Sequence, residues 1–217
     1  MKKIAFLFTL IIGIILSQIP MSNMVFAADS NPRIAVVIVC ADPDFQDKRF
    51  TKRITDYIGK KMKNVTILAG KDIQSKYEDY WFEKTNDVVN YSTMPSKSDL
   101  LDFTSYGNYD KVLYLVIPAP GMDKTVSGAV SGGNTTPVGT SGSSVSSSTT
   151  GYFTNYDAII TVNAFLVNKN EIIKRISSTN RNSGWMSNVS ASFAKEVAFK
   201  KCVKELSETI NPLLTKN

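Results

Sequence analysis

The segment Arg33-Ile34-Ala35-Val36-Val37-Ile38-Val39-Cys40 limits this chain more than any other. After Arg33 it is apolar at every position and mostly β-branched, without the polar residue at every second place that a half-wet strand shows. Such a run is a strand buried on both faces, a central strand of a layered sheet. Pro32 before it and Asp42-Pro43 after it punctuate the run. Phe50, Ile54, Tyr57 or Ile58, and Met62 then recur at helical spacing, with Lys, Arg and Asp on the other side, so 46–62 is predicted as an amphipathic helix. Residues 65–69 form a short strand stopped by Gly70. Strand, helix and strand within so few residues make a βαβ unit.

Further along, 75–89 is predicted helical, with Tyr77, Trp81 and Val88 on one side. Ser96 and Asp99 carry the spacing of a capping box and open a short helix. Residues 112–117 form another apolar strand, ended by Pro118 and Pro120. Residues 156–167 and 171–177 are two strands joined by the turn Asn168-Lys169-Asn170, an antiparallel hairpin. Lys174 and Arg175 suit the second of these to a sheet edge. Residues 180–188 are polar loop. Phe199, Cys202, Val203, Leu206 and Ile210 share one face of a closing helix over 190–210, which Pro212 is expected to end. The fold class is therefore α/β: one three-layer domain over 28–217, with a mixed sheet that starts parallel and finishes antiparallel, flanked by helices.

Residues 121–151 differ in kind, holding 7 Gly, 8 Ser and 6 Thr. With so little apolar surface to offset ordering entropy, the tract reads as a flexible excursion. It lacks the alternating apolar residues of a membrane-spanning hairpin. It also lacks a phosphate-cradling motif, since Gly132-Gly133 does not lead from a strand into a helix.

Lys2 and Lys3, the apolar stretch 4–19 and Val25-Phe26-Ala27 have the layout of a secretory signal peptide over 1–27, cleaved after Ala27. The protein is then extracytoplasmic: secreted, periplasmic or attached to the envelope. The whole chain carries a net charge of +6 and contains no histidine. That lack removes every His-based triad, dyad and metal set. The modest, dispersed positive charge gives no nucleic-acid partner, and no later apolar run is long enough for stable membrane insertion after cleavage. Cys40 and Cys202 are the only cysteines. Buried thiols are expected; a disulfide is the alternative in an exported chain.

The opening Arg33-Ile34-Ala35-Val36-Val37, the hairpin beginning Tyr156-Asp157-Ala158-Ile159-Ile160, and the closing Ser192-Phe193-Ala194-Lys195-Glu196-Val197-Ala198-Phe199 resemble the CsgG/TolB-N-type envelope α/β domain. The resemblance lies in element order and strand texture over most of 33–210. It implies a protein that works through contacts with other proteins rather than by catalysis, and it carries no site residues with it.

Two clusters invite chemistry. Asp42, Asp44 and Asp47 gather where the first strand meets the first helix, the end at which open α/β sheets bind ligands. They suit a divalent cation or a hydrolytic site if another carboxylate, such as Asp123, joins them. They equally suit a helix start, with Asp44 as the N-cap and Asp47 favoured by the helix dipole. Tyr77, Tyr80 and Trp81 suit a sugar-binding face or a helix packed on the sheet. No nucleophile elbow is present, and Ser192-Phe193-Ala194-Lys195 reads as a helix start. The leading expectation is a non-catalytic exported protein with no cofactor and an envelope or surface protein as partner. A small-ligand or glycan-binding module and a metal-dependent hydrolase built on Asp42 and Asp44 are the competing readings.

Overall fold

The parallel start of the sheet follows from the first strand. In a computed structural model, β1 (Arg33–Val39) pairs in parallel with β2 (Thr66–Ala69) on one side and β3 (Lys111–Val116) on the other. Residues 31–60, 62–137, 144–182 and 190–216 are described, with backbone only over 123–155. The expected leader at 1–27 lies outside them, as do residues 183–188 of the polar loop expected at 180–188.

Alternation along β1 sends its side chains into two separate cores. Ile34, Val36 and Ile38 pack with Phe50 and Ile54 of α1 (Lys48–Tyr57) and with Phe199 and Val203 of α4 (Ala191–Leu214). Ala35, Val37 and Val39 pack with Tyr77 of α2 (Lys71–Thr85) and with Leu100 and Phe103 of α3 (Lys97–Tyr106). The result is a mixed sheet between two helical layers, an α/β domain. Each fully buried aliphatic side chain contributes about 1.5–3 kcal/mol. Among the described residues no helix is long and apolar enough to cross a membrane.

The second half of the sheet is antiparallel and centred on β5 (Ser144–Val167). Its C-terminal end pairs with β3 on one edge and with β6 (Ile172–Arg181) on the other. β6 has no other partner among the described strands, so Lys174 and Arg175 do stand on an edge. The N-terminal part of β5 pairs with β4 (Gly121–Pro137) from Gly121↔Ile159 to Pro137↔Ser144. Within the tract expected as an excursion at 121–151, residues 121–137 and 144–151 pair as a two-stranded ribbon, while 138–143 lie outside the described residues. The expectation weighed only side-chain burial. Ladder hydrogen bonds need no apolar side chain, and the core end of β5 supplies a fixed template from which pairing continues.

Helix limits shift for local reasons. α1 begins at Lys48 rather than at residue 46, because Pro43–Gln46 forms a short 3-10 turn first. It ends ahead of Gly59, whose φ of 70° places a hypothetical Cβ 2.7 Å from Ile67. α2 stops at Asn86, left-handed with φ 56°. The Ser96–Asp99 capping box forms as its spacing foretold. Pro212 does not end α4, which continues to Leu214. The last turn is held from outside: the Lys111 ammonium, 7% exposed as a residue, donates to the carbonyls of Leu213 (2.9 Å), Leu214 (3.0 Å) and Lys216. Burial lowers its pKa. Cys40 and Cys202 are buried free thiols.

Two outcomes follow. Lys111→Met leaves the carbonyls at the end of α4 without their donor and is expected to lower stability by about 1–3 kcal/mol in urea unfolding. Deleting 126–150 removes ribbon and none of the described core residues, so the shortened chain is expected to retain one cooperative thermal transition.

Candidate functional site

Pro118 and Pro120 have no N–H to give to a sheet ladder. The β3–β5 ladder accordingly stops at Val116↔Asn163 and pairing resumes only at Gly121↔Ile159. Since β6 occupies the opposite edge of β5, β3 and β4 follow one another along the same edge, with 117–120 as the gap between them. At that gap lies a cleft of about 540 Å³. Cys40 and Ile117 are buried beneath it, Asn163 of β5 lines its wall, and Tyr91 and Met94 come from the 91–94 loop across it. The order β2-β1-β3 places the neighbours of β1 on opposite sides. The cleft therefore sits at the topological switch point, outside the carboxyl ends of β1 and β3.

The loop at the mouth is fixed by hydrogen bonds. Tyr91 donates its hydroxyl to Glu78 Oε1 (2.6 Å) and accepts from Gln74 Nε2 (2.8 Å). Gln74 Oε1 in turn accepts the Ile38 N–H of β1 (3.4 Å). Short β2 pairs no further than Val36, so the glutamine side chain takes the place of a missing strand there.

Asp42 also lines the cleft. Its Oδ1 accepts the Asp44 N–H (3.0 Å) and so caps the 3-10 turn, a role expected of Asp44. Its Oδ2 lies 2.5 Å from Lys195 Nζ on the first turns of α4, and the same ammonium lies 2.8 Å from Asp44 Oδ2. The Lys195 side chain is 12% exposed. Burial acts to lower its pKa, but the hydrogen bonds to Asp42 and Asp44 outweigh this and hold it above the ordinary lysine value. It stays protonated near neutral pH, a fixed cation between two carboxylates.

Asp47 stands apart from this pair. It caps α1 by accepting the Arg49 N–H (2.8 Å), and that bond together with the Arg49 side chain lowers its pKa. Arg49 also donates to Ser192 Oγ (2.8 Å), and Arg53 Nη2 reaches Glu196 Oε1 at 2.6 Å. The Ser192–Lys195 spacing thus serves a helix start, with each side chain engaged by a different element. Among the described residues no group of three or more His, Cys, Asp or Glu could hold a metal ion. The position a divalent ion would take between Asp42 and Asp44 holds an ammonium. The side chain of Asp123 lies outside those described. Burial pushes the Cys40 thiol up to about 11, against a stabilising hydrogen bond from the Asp42 backbone, so it is a neutral thiol at pH 7.

Tyr77 and Tyr80 of the aromatic cluster are core, with Trp81 packed against them. Tyr77 is 1% and Tyr80 5% exposed, and Tyr77 packs against Phe103 (5.2 Å between centroids), Tyr114 (6.0 Å) and Trp81 (6.4 Å). Of the residues suited to a sugar face, the Tyr77 and Tyr80 rings are buried on the α2–α3 side of the sheet and have no free face for a sugar, while Trp81 is half-buried beside them.

Replacing Asp42 and Asp44 together by Asn strands a largely buried ammonium, and is expected to cost about 1–3 kcal/mol in chemical unfolding. Adding Lys195→Met to that variant removes the orphaned charge and should recover most of the loss. The sequence matches no protein-family model and no curated protein, so this geometry is what any functional reading of the chain has to build on.

Proposed function

We propose that this is an exported, non-catalytic protein that works by binding another envelope or surface protein, and that it does so by strand addition along the β4–β5 ribbon. One observation carries the reading. Among the described strands, β4 pairs only with β5, and residues 144–158 of β5 pair only with β4, so both outer edges of the ribbon are open. A strand of 17 residues spans roughly 55 Å at ~3.3 Å per residue.

Open edges are templates for pairing with another chain, and proteins usually guard them with charge. This chain guards β6 with Lys174 and Arg175. From 125 to 156 it has no charged residue at all. One bulge, between Ser127 and Ala129, interrupts the register. An isolated two-stranded ribbon is marginal in water, and a third strand from a partner supplies the hydrogen bonds its edges lack. The leader-like residues 1–27 support an extracytoplasmic setting. The resemblance to CsgG/TolB-N-type envelope domains supports work by protein contact, as does a sequence without histidine or a nucleophile elbow.

The test is photo-crosslinking in the native host from Ser131 on β4 and Ser148 on β5, with Lys97 at the start of α3 as the control. Adducts of defined mass are expected from both ribbon positions and not from the control. A doubled mass names a second copy as the partner, and another mass names a different protein. Equal labelling at Lys97 and at the ribbon overturns the reading.

A further inference from the structure

We infer that the cleft at the carboxyl ends of β1 and β3 is a binding site for an uncharged small molecule with an apolar body and one hydrogen-bonding edge, and that it rejects phosphorylated ligands. The inference is independent of the ribbon.

Its size comes first. About 540 Å³ falls within the range of small-molecule sites. The proline gap creates the space, and the Gln74–Tyr91–Glu78 hydrogen bonds fix the loop across it, so the cleft exists without a ligand to shape it.

Charge comes second. In open α/β sheets this is where a helix N-terminus after the first strand cradles phosphate. Here that place is filled by the chain itself, because the Asp42 carboxylate accepts the Asp44 N–H. The nearby cation, Lys195, is spent on Asp42 and Asp44. No Lys or Arg is among the described cleft residues. An anion would meet a carboxylate at the rim and no free cation.

The polar groups that remain come third. The Asn163 side-chain amide, a donor and an acceptor, makes no hydrogen bond to any described residue. The backbone N–H groups of Ala41 and Ala119 likewise donate to none, since the parallel ladder ends at Ile117 N–H to Val39 carbonyl (2.9 Å). Set beside Ile117, Pro118 and Met94, these groups match a ligand with an amide, carbonyl or hydroxyl edge and an otherwise apolar frame.

Nile red, neutral and apolar with carbonyl and ring-nitrogen acceptors, is the probe, and ATP is its charged counterpart. Both are titrated into the isotope-labelled full chain, followed by amide NMR. Saturable shifts at Ala41, Ala119 and the Asn163 side chain are expected with Nile red and not with ATP at the same concentration. Ala119→Trp fills the cleft and should abolish the saturable dye fluorescence. Phe82→Ser, which removes an apolar group exposed on α2, should leave it intact. The inference is overturned if ATP moves the same resonances, if Nile red leaves all three unmoved, or if its shifts centre on Phe82 and Val88. The NMR result in the unmodified chain decides the matter even if the tryptophan variant does not fold.

Discussion

Burial of β1 on both faces is the constraint to which everything else answers. Ile34, Ala35, Val36 and Val37 are all at 3% exposure or less. A strand in that state needs a helical layer above and another below, and parallel neighbours need crossovers long enough to provide them. α1 and α4 supply one layer, and α2 with α3 the other. Even the point where β1 outruns its partner is closed, by Gln74 reaching in from α2 to the Ile38 N–H. What the described elements leave open is the carboxyl end of β1, and the cleft lies there.

β5 is the second organising strand, and its two ends differ in composition and in partners. At its C-terminal end Ala158, Ile160, Val162, Ala164 and Leu166 alternate into the core beneath α4. Toward its N-terminus the sequence turns to Ser and Thr, and among the described strands the only partner is β4. A continuous backbone ladder joins a buried half to a polar half. The core end anchors the ribbon, and the ribbon carries hydrogen-bonding edges away from the core. The proline gap at 117–120 marks the boundary between the two regimes on the neighbouring edge.

α4 is fastened at both ends by charge. Near its start, Lys195 is held by Asp42 and Asp44 while Glu196 is held by Arg53, linking the helix to the turn after β1 and to α1. At its finish the buried Lys111 of β3 binds the last carbonyls, a cation at the negative end of the helix dipole. These groups are removed from much of the solvent screening that makes surface pairs weak. They fix the helix along its axis, which apolar packing alone resists only weakly.

The sequence by itself determined the α/β class, the central strand, the capping box at Ser96, the hairpin joining β5 to β6 and the charged edge at Lys174 and Arg175. Each of these is written in neighbouring residues, as periodicity, β-branching or turn chemistry. Only the tertiary structure decided that Lys195 lies between Asp42 and Asp44, 153 and 151 positions away, or that Lys111 caps a helix about a hundred residues later. No local pattern encodes such pairs, because they depend on which surfaces the two cores bring together. Pro118 and Pro120 were legible as the end of a strand, but the cleft they open needed β5 to run past them. The β4–β5 ribbon was hidden for a different reason. Its order rests on backbone hydrogen bonds, which every residue but proline can make and which composition therefore does not record.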